Sequence, residues 1–230
     1  MRCYYTLMNV IARTSETLTI TGDAMTLDDA ERILRGDVER LELASAARKR
    51  VDKARRCLED LMAAGATIYG VNTGFGKLAN RRIDDEEVLA LQENLLRSHA
   101  VGMGSLLSIA ESRLALALRI QALAKGYSGV TSELIDLLIE MYNRGVVPAI
   151  PEQGSVGASG DLAPLAHMAL VVMGEGQAFV IKPGQQPRVR AKPLSGRAAL
   201  ERVRLKAHRP QAKEGLSLIN GTQVSTALLA

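Results

Sequence analysis

Apolar and polar positions along the chain alternate with two different periods. A short run, Leu18-Thr19-Ile20-Thr21, alternates with period two and closes at Gly22-Asp23, which predicts a strand or extended arm. Most of the remainder carries helical patterning. Thr26 caps a first helix whose opening turn holds Asp28, Asp29 and Glu31, the charge that suits the positive end of a helix dipole. A second helix is expected over 44–64, stopped by Gly65. Asp84, Asp85, Glu86 and Glu87 open a third, which runs through Leu91 and Leu95 to about Ser98. The longest signal spans about 105–125, with Leu106, Leu107, Ile109, Leu114, Leu116, Leu118, Ile120 and Leu123. Those side chains cover more than one stripe, so this helix should be buried on several sides. Another helix starts at the Thr131-Ser132 cap and ends at Gly145. Val147 to Gly160 reads as a Pro/Gly loop, Asp161 to Met173 as helix, 176–193 as a small hairpin and 195–207 as helix. From Glu214 onward the chain is apolar and stops in mid-pattern at Ala227–Ala230, so it reads as cut short. No internal repeat is visible. The expected fold is mainly α, with small β hairpins and long glycine-rich loops.

Composition narrows the function classes. The 230 residues suffice for one domain with a sizeable core, or for two small ones. Aromatic residues are only 3%, with no Trp, so the core must be aliphatic, which suits close helix packing. The net charge of +4 is concentrated between Lys182 and Lys213. No aromatics are interleaved there to stack on bases, so the stretch reads as solvated surface and not as a nucleic-acid site. Cys3 and Cys57 form neither a disulfide framework nor a metal-ligand spacing, which points to a reducing cytoplasm. No signal peptide and no apolar run of membrane-spanning length is present. His99, His167 and His208 are too scattered for a metal site; His167 reads as structural and His208 as a surface residue.

The chemistry is concentrated in Gly154-Ser-Val-Gly-Ala-Ser-Gly-Asp-Leu-Ala-Pro-Leu-Ala-His167. A phosphate-binding loop would need Gly-Lys-Ser/Thr at its end, and a nucleophile elbow would need Gly where Asp161 stands. A third reading uses the residues more fully. In Ala158-Ser159-Gly160 the amide nitrogen of Gly160 can attack the carbonyl carbon of Ala158, and Ser159 can then lose water. The product is a methylidene-imidazolone, a stronger electrophile than any unmodified side chain. Gly160 has no Cβ to block the attack, Ala158 is small, and Gly154 and Gly157 permit a bent backbone. A helix starting at Asp161 would direct its positive end at the ring. Pro164 falls in the first turn, where its missing N–H is tolerated.

From Gly154 to Ala169 this run resembles the signature of the histidine/phenylalanine ammonia-lyase family, which makes its electrophile from Ala-Ser-Gly. Three further segments, in the family's order, are similar to family motifs: Tyr69-Gly-Val-Asn-Thr-Gly-Phe-Gly76, Gln92-Glu-Asn-Leu-Leu-Arg-Ser-His99 and Lys213-Glu-Gly-Leu-Ser-Leu-Ile-Asn220-Gly-Thr-Gln223. The resemblance covers roughly 15–230 and is closest to the histidine lyases. It implies the N-terminal, prosthetic-group-bearing part (1–230) of the helical fumarase/aspartase-like fold, reaching the start of the central helical region but without the C-terminal bundle. It also implies a cofactor, 4-methylidene-imidazol-5-one, formed from Ala158, Ser159 and Gly160.

By the same resemblance Tyr69 is the base for the β-proton and would need a lowered pKa, since free Tyr titrates near ~10. Asn220 faces the prosthetic group. Ser98 and His99 contact the substrate's ring, and Gly74, with Asn72, shapes the tyrosine loop on the substrate side. The implied reaction converts L-histidine to trans-urocanate and ammonia. Tyrosine ammonia-lyase or tyrosine aminomutase is the alternative, because His99 can also bind a phenol hydroxyl; an inactive fragment is a third reading. The implied assembly is a cytoplasmic homotetramer with active sites shared between subunits, bound to neither nucleic acid nor membrane.

Overall fold

The computed structural model describes residues 16–74, 76, 83–84, 87–156, 160–182 and 192–230. The chain opens with β1 (Glu16–Ile20), α1 (Leu27–Arg35) and β2 (Val38–Leu43). The two strands pair in parallel, so the chain must cross over between them, and α1 makes that crossover. Thr26 starts α1 with a full capping box: its side chain accepts from Asp29 N–H while the Asp29 carboxylate accepts from Thr26 N–H. Gly36 ends the helix in the left-handed conformation, φ 81°. Then follow α2 (Ser45–Ala63) and α3 (Val88–His99). The third helix starts at Val88, after the acidic cluster that was expected to form its first turn.

Next come β3 (Met103–Leu106), α4 (Ile109–Ala124) and α5 (Ser132–Asn143). Helix α4 is the axis of the molecule. It begins three to four residues later than its apolar pattern, because Ser108 and Glu111 form a capping box there and the preceding residues pair as a strand. Its burial matches the sequence expectation: Leu114, Leu116, Ile120 and Leu123 are inaccessible, and so are Ala115, Ala117 and Ala124 on its other faces. It packs against α1, α2 and α5.

The segment expected to be an irregular Pro/Gly loop contains two short strands, β4 (Val146–Pro148) and β5 (Pro151–Gln153). Three-residue strands leave too little alternation to be read from sequence. Helix α6 (Leu162–Val172) follows, then β6 (Gln177–Val180), β7 (Leu194–Ser195), α7 (Gly196–Arg202), α8 (Glu214–Ile219) and α9 (Gln223–Leu229). Strand β6 pairs antiparallel with β7, which lies beyond the 176–193 expected for a hairpin; 183–191 of that range lie outside the described residues. Strand β4 lies on the other side of β6, and β3 pairs with β5. Helix α7 is shorter than predicted. Its C-terminus closes with Arg204 at φ 59° and Leu205 N–H bonded to the Leu200 carbonyl. The apolar run after Glu214 is two helices and not one, broken at Asn220-Gly221-Thr222. Among the described residues no helix is long and apolar enough to cross a membrane.

The small parallel sheet is joined to the helical core by polar side chains. Asn143, at the end of α5, accepts from Leu41 N–H (2.7 Å) and donates to Leu41 O (3.1 Å), acting as a strand partner for β2. Tyr142 and Arg113 both donate to the Val38 carbonyl, at 2.9 and 2.7 Å. The Arg113 guanidinium lies 4.3 Å from the Tyr142 ring centroid, a cation–π contact in a dry site. Burial pushes the Tyr142 hydroxyl up to about 12, so it stays a donor. Asn143→Ala should therefore leave two buried backbone groups of Leu41 unpaired. The expected loss is about 2–3 kcal/mol, read as a lower urea midpoint at unchanged slope. A loss below about 0.5 kcal/mol would show that water replaces the side chain.

Candidate active site

Tyr69 lies in a turn whose backbone is fixed from both sides. Asn72 is buried; its Oδ1 accepts from Ile68 N–H (2.7 Å) and its Nδ2 donates to the Ala66 carbonyl (2.8 Å). Gly70, at φ 70°, supplies the left-handed residue, and its N–H donates to Thr73 Oγ1. Thr73 in turn donates to the carbonyl of buried Gly74 (3.0 Å). Val71 anchors the turn among Leu58, Val88 and Ala212. Tyr69 itself is 54% exposed, so its side chain stands out from a held turn. Asn72 thus ties the two ends of the turn, and Gly74 accepts a hydrogen bond within it.

Ser98 and His99 end α3. The Leu95 carbonyl accepts from Ser98 Oγ (3.0 Å) and from His99 Nδ1 (2.9 Å). A carbonyl only accepts, so Nδ1 carries a proton, and the neutral ring then presents Nε2 as an acceptor. One turn short of the start of this face, Gln92 is wholly buried. Its Nε2 donates to the Gly70 carbonyl (3.3 Å) and its Oε1 accepts from Gly215 N–H (3.0 Å) in α8.

The chain leaving α3 runs against the glycine-rich loop. Met103 pairs with Gln153, and a Cβ on Gly154 would lie 3.1 Å from Gly102 Cα, so the two backbones touch. His167 on α6 holds this crossing: its Nε2 accepts from Gly102 N–H at 3.0 Å. Burial pushes the His167 pKa down, keeping the ring a neutral acceptor. This is the structural role expected of it.

Ala158 and Ser159 lie outside the described residues, whereas Gly160 does not. Gly160 adopts φ 84°, and its carbonyl accepts from Val156 N–H (2.8 Å). A Cβ on Gly160 would approach Ser155 Oγ to 3.1 Å. A left-handed residue without a Cβ at Gly160 fits the third position of a ring built across Ala158-Ser159-Gly160. Asp161 follows as the cap residue of α6 but does not cap it. Its buried carboxylate instead accepts from Ser225 N–H (2.8 Å) and Ser225 Oγ (2.6 Å) in the first turn of α9.

Asn220 is exposed in the turn between α8 and α9. Two buried charges hold that turn. Arg119 on α4 donates to the Ser217 carbonyl, to the Asn220 carbonyl (3.1 Å) and to Gln223 Oε1 (2.7 Å). It thus places a cation on the C-terminal end of α8, while Asp161 places an anion on the N-terminal turn of α9, each matching its helix dipole. Burial pushes Arg119 down to about 10. The four segments singled out in the sequence are therefore linked in one region: the tyrosine turn to α8 by Gln92, α3 to the glycine loop by β3–β5 and His167, and that loop to the Asn220 turn by Asp161.

Gln92 and Arg119 were not legible as site residues, since each sits within a helical pattern and offers no spacing of its own. His208 differs from expectation. It is mostly buried, and its Nε2 donates to Oε2 of the fully buried Glu214 at 2.7 Å. Glu214 also accepts from Thr131 N–H, Thr131 Oγ1 and Gln211 N–H. The hidden carboxylate explains why a histidine in a basic, loop-like stretch turns inward. A mixed-charge cleft of about 530 Å³ opens beside this pair, lined by Asp52, Arg56, Glu59 and His208 among others; none of the candidate site residues borders it.

Residues 25–230 match the family described as aromatic amino acid lyase. The chain belongs to that family. It is 51% identical over 212 residues to the histidine ammonia-lyase of Stigmatella aurantiaca, covering 92% of this chain and 39% of that protein. Its fold superposes on the histidine ammonia-lyase of Trypanosoma cruzi with a TM-score of 0.82 at 34% identity, covering 93% of this chain and 39% of that one. The tyrosine aminomutase of Streptomyces globisporus gives a TM-score of 0.82 at 31% identity, with 93% and 38% covered. The chain thus spans about two fifths of the length of the relatives it matches.

Glu214 generates a pH prediction. Burial opposes its charge, but the donors His208, Gln211 N–H and Thr131 N–H together outweigh burial and hold the carboxyl below its ordinary value. A depressed carboxyl stabilises the fold above its unfolded pKa of ~4.3, and that stability is lost as pH falls through the lower folded value. Glu214→Gln should cost about 2–3 kcal/mol at about pH 7, with the gap to wild type narrowing below about pH 4. Urea unfolding at several pH values checks this; a gap that stays constant into acid would contradict it.

Proposed function

We propose that the full-length protein carrying this chain eliminates ammonia from L-histidine to give trans-urocanate. The observation that carries this reading is the convergence of four motif segments through Gln92, the β3–β5 pair and Asp161. The 51% identity to a histidine ammonia-lyase supports the choice of substrate. Ala158, Ser159 and Gly160 would hold the prosthetic group as their own cyclised backbone. Two waters leave in forming it: one on closure of Gly160 N onto the Ala158 carbonyl carbon, one from the Ser159 hydroxyl. Once formed, the methylidene-imidazolone supplies the electrophile that an elimination of a poor leaving group needs.

The chain's own groups do the rest. His99 Nε2 accepts the imidazole N–H of the substrate and orients its side chain, with Ser98 beside it. Tyr69 Oη, as the phenolate, takes the β-proton and becomes the phenol; the electron pair of that C–H bond forms the new double bond, and the Cα–N pair leaves with the substrate's ammonium nitrogen as ammonia. Gly74 keeps the turn beside Tyr69 closed. Asn220, exposed between the two charge-held helix ends, hydrogen-bonds across the site. A phenol hydroxyl could also donate to His99 Nε2, and the fold likeness to a tyrosine aminomutase favours tyrosine as the second reading.

Two measurements test the proposal. The intact mass of the full-length protein should be lower than its sequence mass by two waters, and Ser159→Ala should abolish that deficit; an active preparation of unmodified mass would refute the prosthetic group. His99→Leu should lower kcat/KM for histidine by about two orders of magnitude or more, because it leaves the substrate's N–H unpaired. Deamination of tyrosine with none of histidine would establish the second reading instead.

A further inference from the structure

Gln92 is the side chain shared by segments that the proposed reaction uses together. It lies seven residues before His99 on α3, and seven residues bring a helix back to within about 20° of the same face. Its carboxamide is wholly buried and works in two directions, donating to the carbonyl of Gly70, next to Tyr69, and accepting from Gly215 in α8. The α8 backbone comes close enough that a Cβ on Gly215 would sit 2.8 Å from Gln92 O and 2.9 Å from Gln92 Oε1. Helix α8 is short, and its far end is Asn220. Little slack remains between the amide and either neighbour.

We propose that Gln92 is a positioning residue: the hydrogen bonds of its carboxamide, and not its bulk, fix the Tyr69 turn and the Asn220 helix relative to His99. The inference rests on the lyase reading above. Only a side chain with a donor and an acceptor on one carbon satisfies a carbonyl on one side and an N–H on the other. Removing it leaves both backbone groups unpaired in a dry site, and each must move to find a partner. A shift of about 1 Å in a proton acceptor costs on the order of 10²-fold in rate, while binding of the substrate's far end is little altered.

Two variants in the full-length protein separate hydrogen bonding from packing. Gln92→Met keeps the length and removes both bonds. It should lower kcat about 10²-fold, change KM by less than about threefold, and speed amide exchange at Gly215 and through Tyr69–Gly74. Gln92→Glu keeps the acceptor but places a carboxylate oxygen against the Gly70 carbonyl. Its activity relative to wild type should rise as pH falls and the buried carboxyl regains a donating O–H. If Gln92→Met proves insoluble, the Gln92→Glu profile decides. A Gln92→Met enzyme within threefold of wild-type kcat, or a Gln92→Glu ratio flat with pH, overturns the inference. A wild-type protein that deaminates neither histidine nor tyrosine refutes the lyase reading instead, and the exchange rates then decide whether Gln92 ties the turn to the helix.

Discussion

Burying most of α4 imposes the constraint on which the rest of the structure depends. On its buried faces such a helix can carry polar residues only if they find partners inside the protein, since an unpaired buried donor costs about 1–3 kcal/mol. Three such residues on α4 reach outward to backbone or side-chain groups of other elements. Arg113 takes the Val38 carbonyl at the start of β2, Gln121 accepts from Gly22 N–H after β1, and Arg119 takes the end of α8. These requirements attach the small sheet to one part of the helix and the Asn220 turn to another. The satisfaction is not complete, because the Nε atoms of both arginines and Gln121 Nε2 lack partners. The geometry of the neighbours is set by the bonds that are made.

The candidate site inherits its shape from that axis. The α8–α9 turn is held by charges complementary to two helix ends, Arg119 below α8 and Asp161 against α9. Among the described residues neither charge bonds to an oppositely charged group, and each meets the aligned dipoles of a helix end. The tyrosine turn is held differently, by neutral amides. Asn72 closes it internally and Gln92 attaches it to α8. Such bonds are weaker than charge-assisted ones. The glycine-rich loop is fixed by close backbone contact with Gly102 and by the Asp161–Ser225 bonds. Three kinds of fastening therefore meet around residues that stand close to solvent or at turns, which is where binding groups must be.

Much of the fold and part of the site could be read from the residues in order. Thr26 and Thr131 cap helices as their short polar side chains require, and the several-sided apolar pattern of α4 reports its burial. The Ala158-Ser159-Gly160 run, the Tyr69 turn and the pair Ser98-His99 are contiguous segments, so the chemistry proposed for them was open to a local reading. The β4 and β5 strands were not visible, because three residues carry too little periodicity, nor was the break at Asn220 in an apolar run. His208 turned inward for a partner, Glu214, whose own burial leaves no local mark.

The sequence by itself determined where α1 and α5 start and which contiguous segments the proposed chemistry draws on. These depend on spacing within a few residues, where backbone geometry dictates what can meet. Only the tertiary structure decided that Gln92 would join Gly70 to Gly215, that Arg119 would cap a helix about one hundred positions later, and that Asp161 would bind Ser225 and leave its own helix uncapped. Those contacts are long-range and made by side chains with several possible partners. Which partner a buried donor or acceptor takes is settled by whichever backbone group packing brings within about 3 Å.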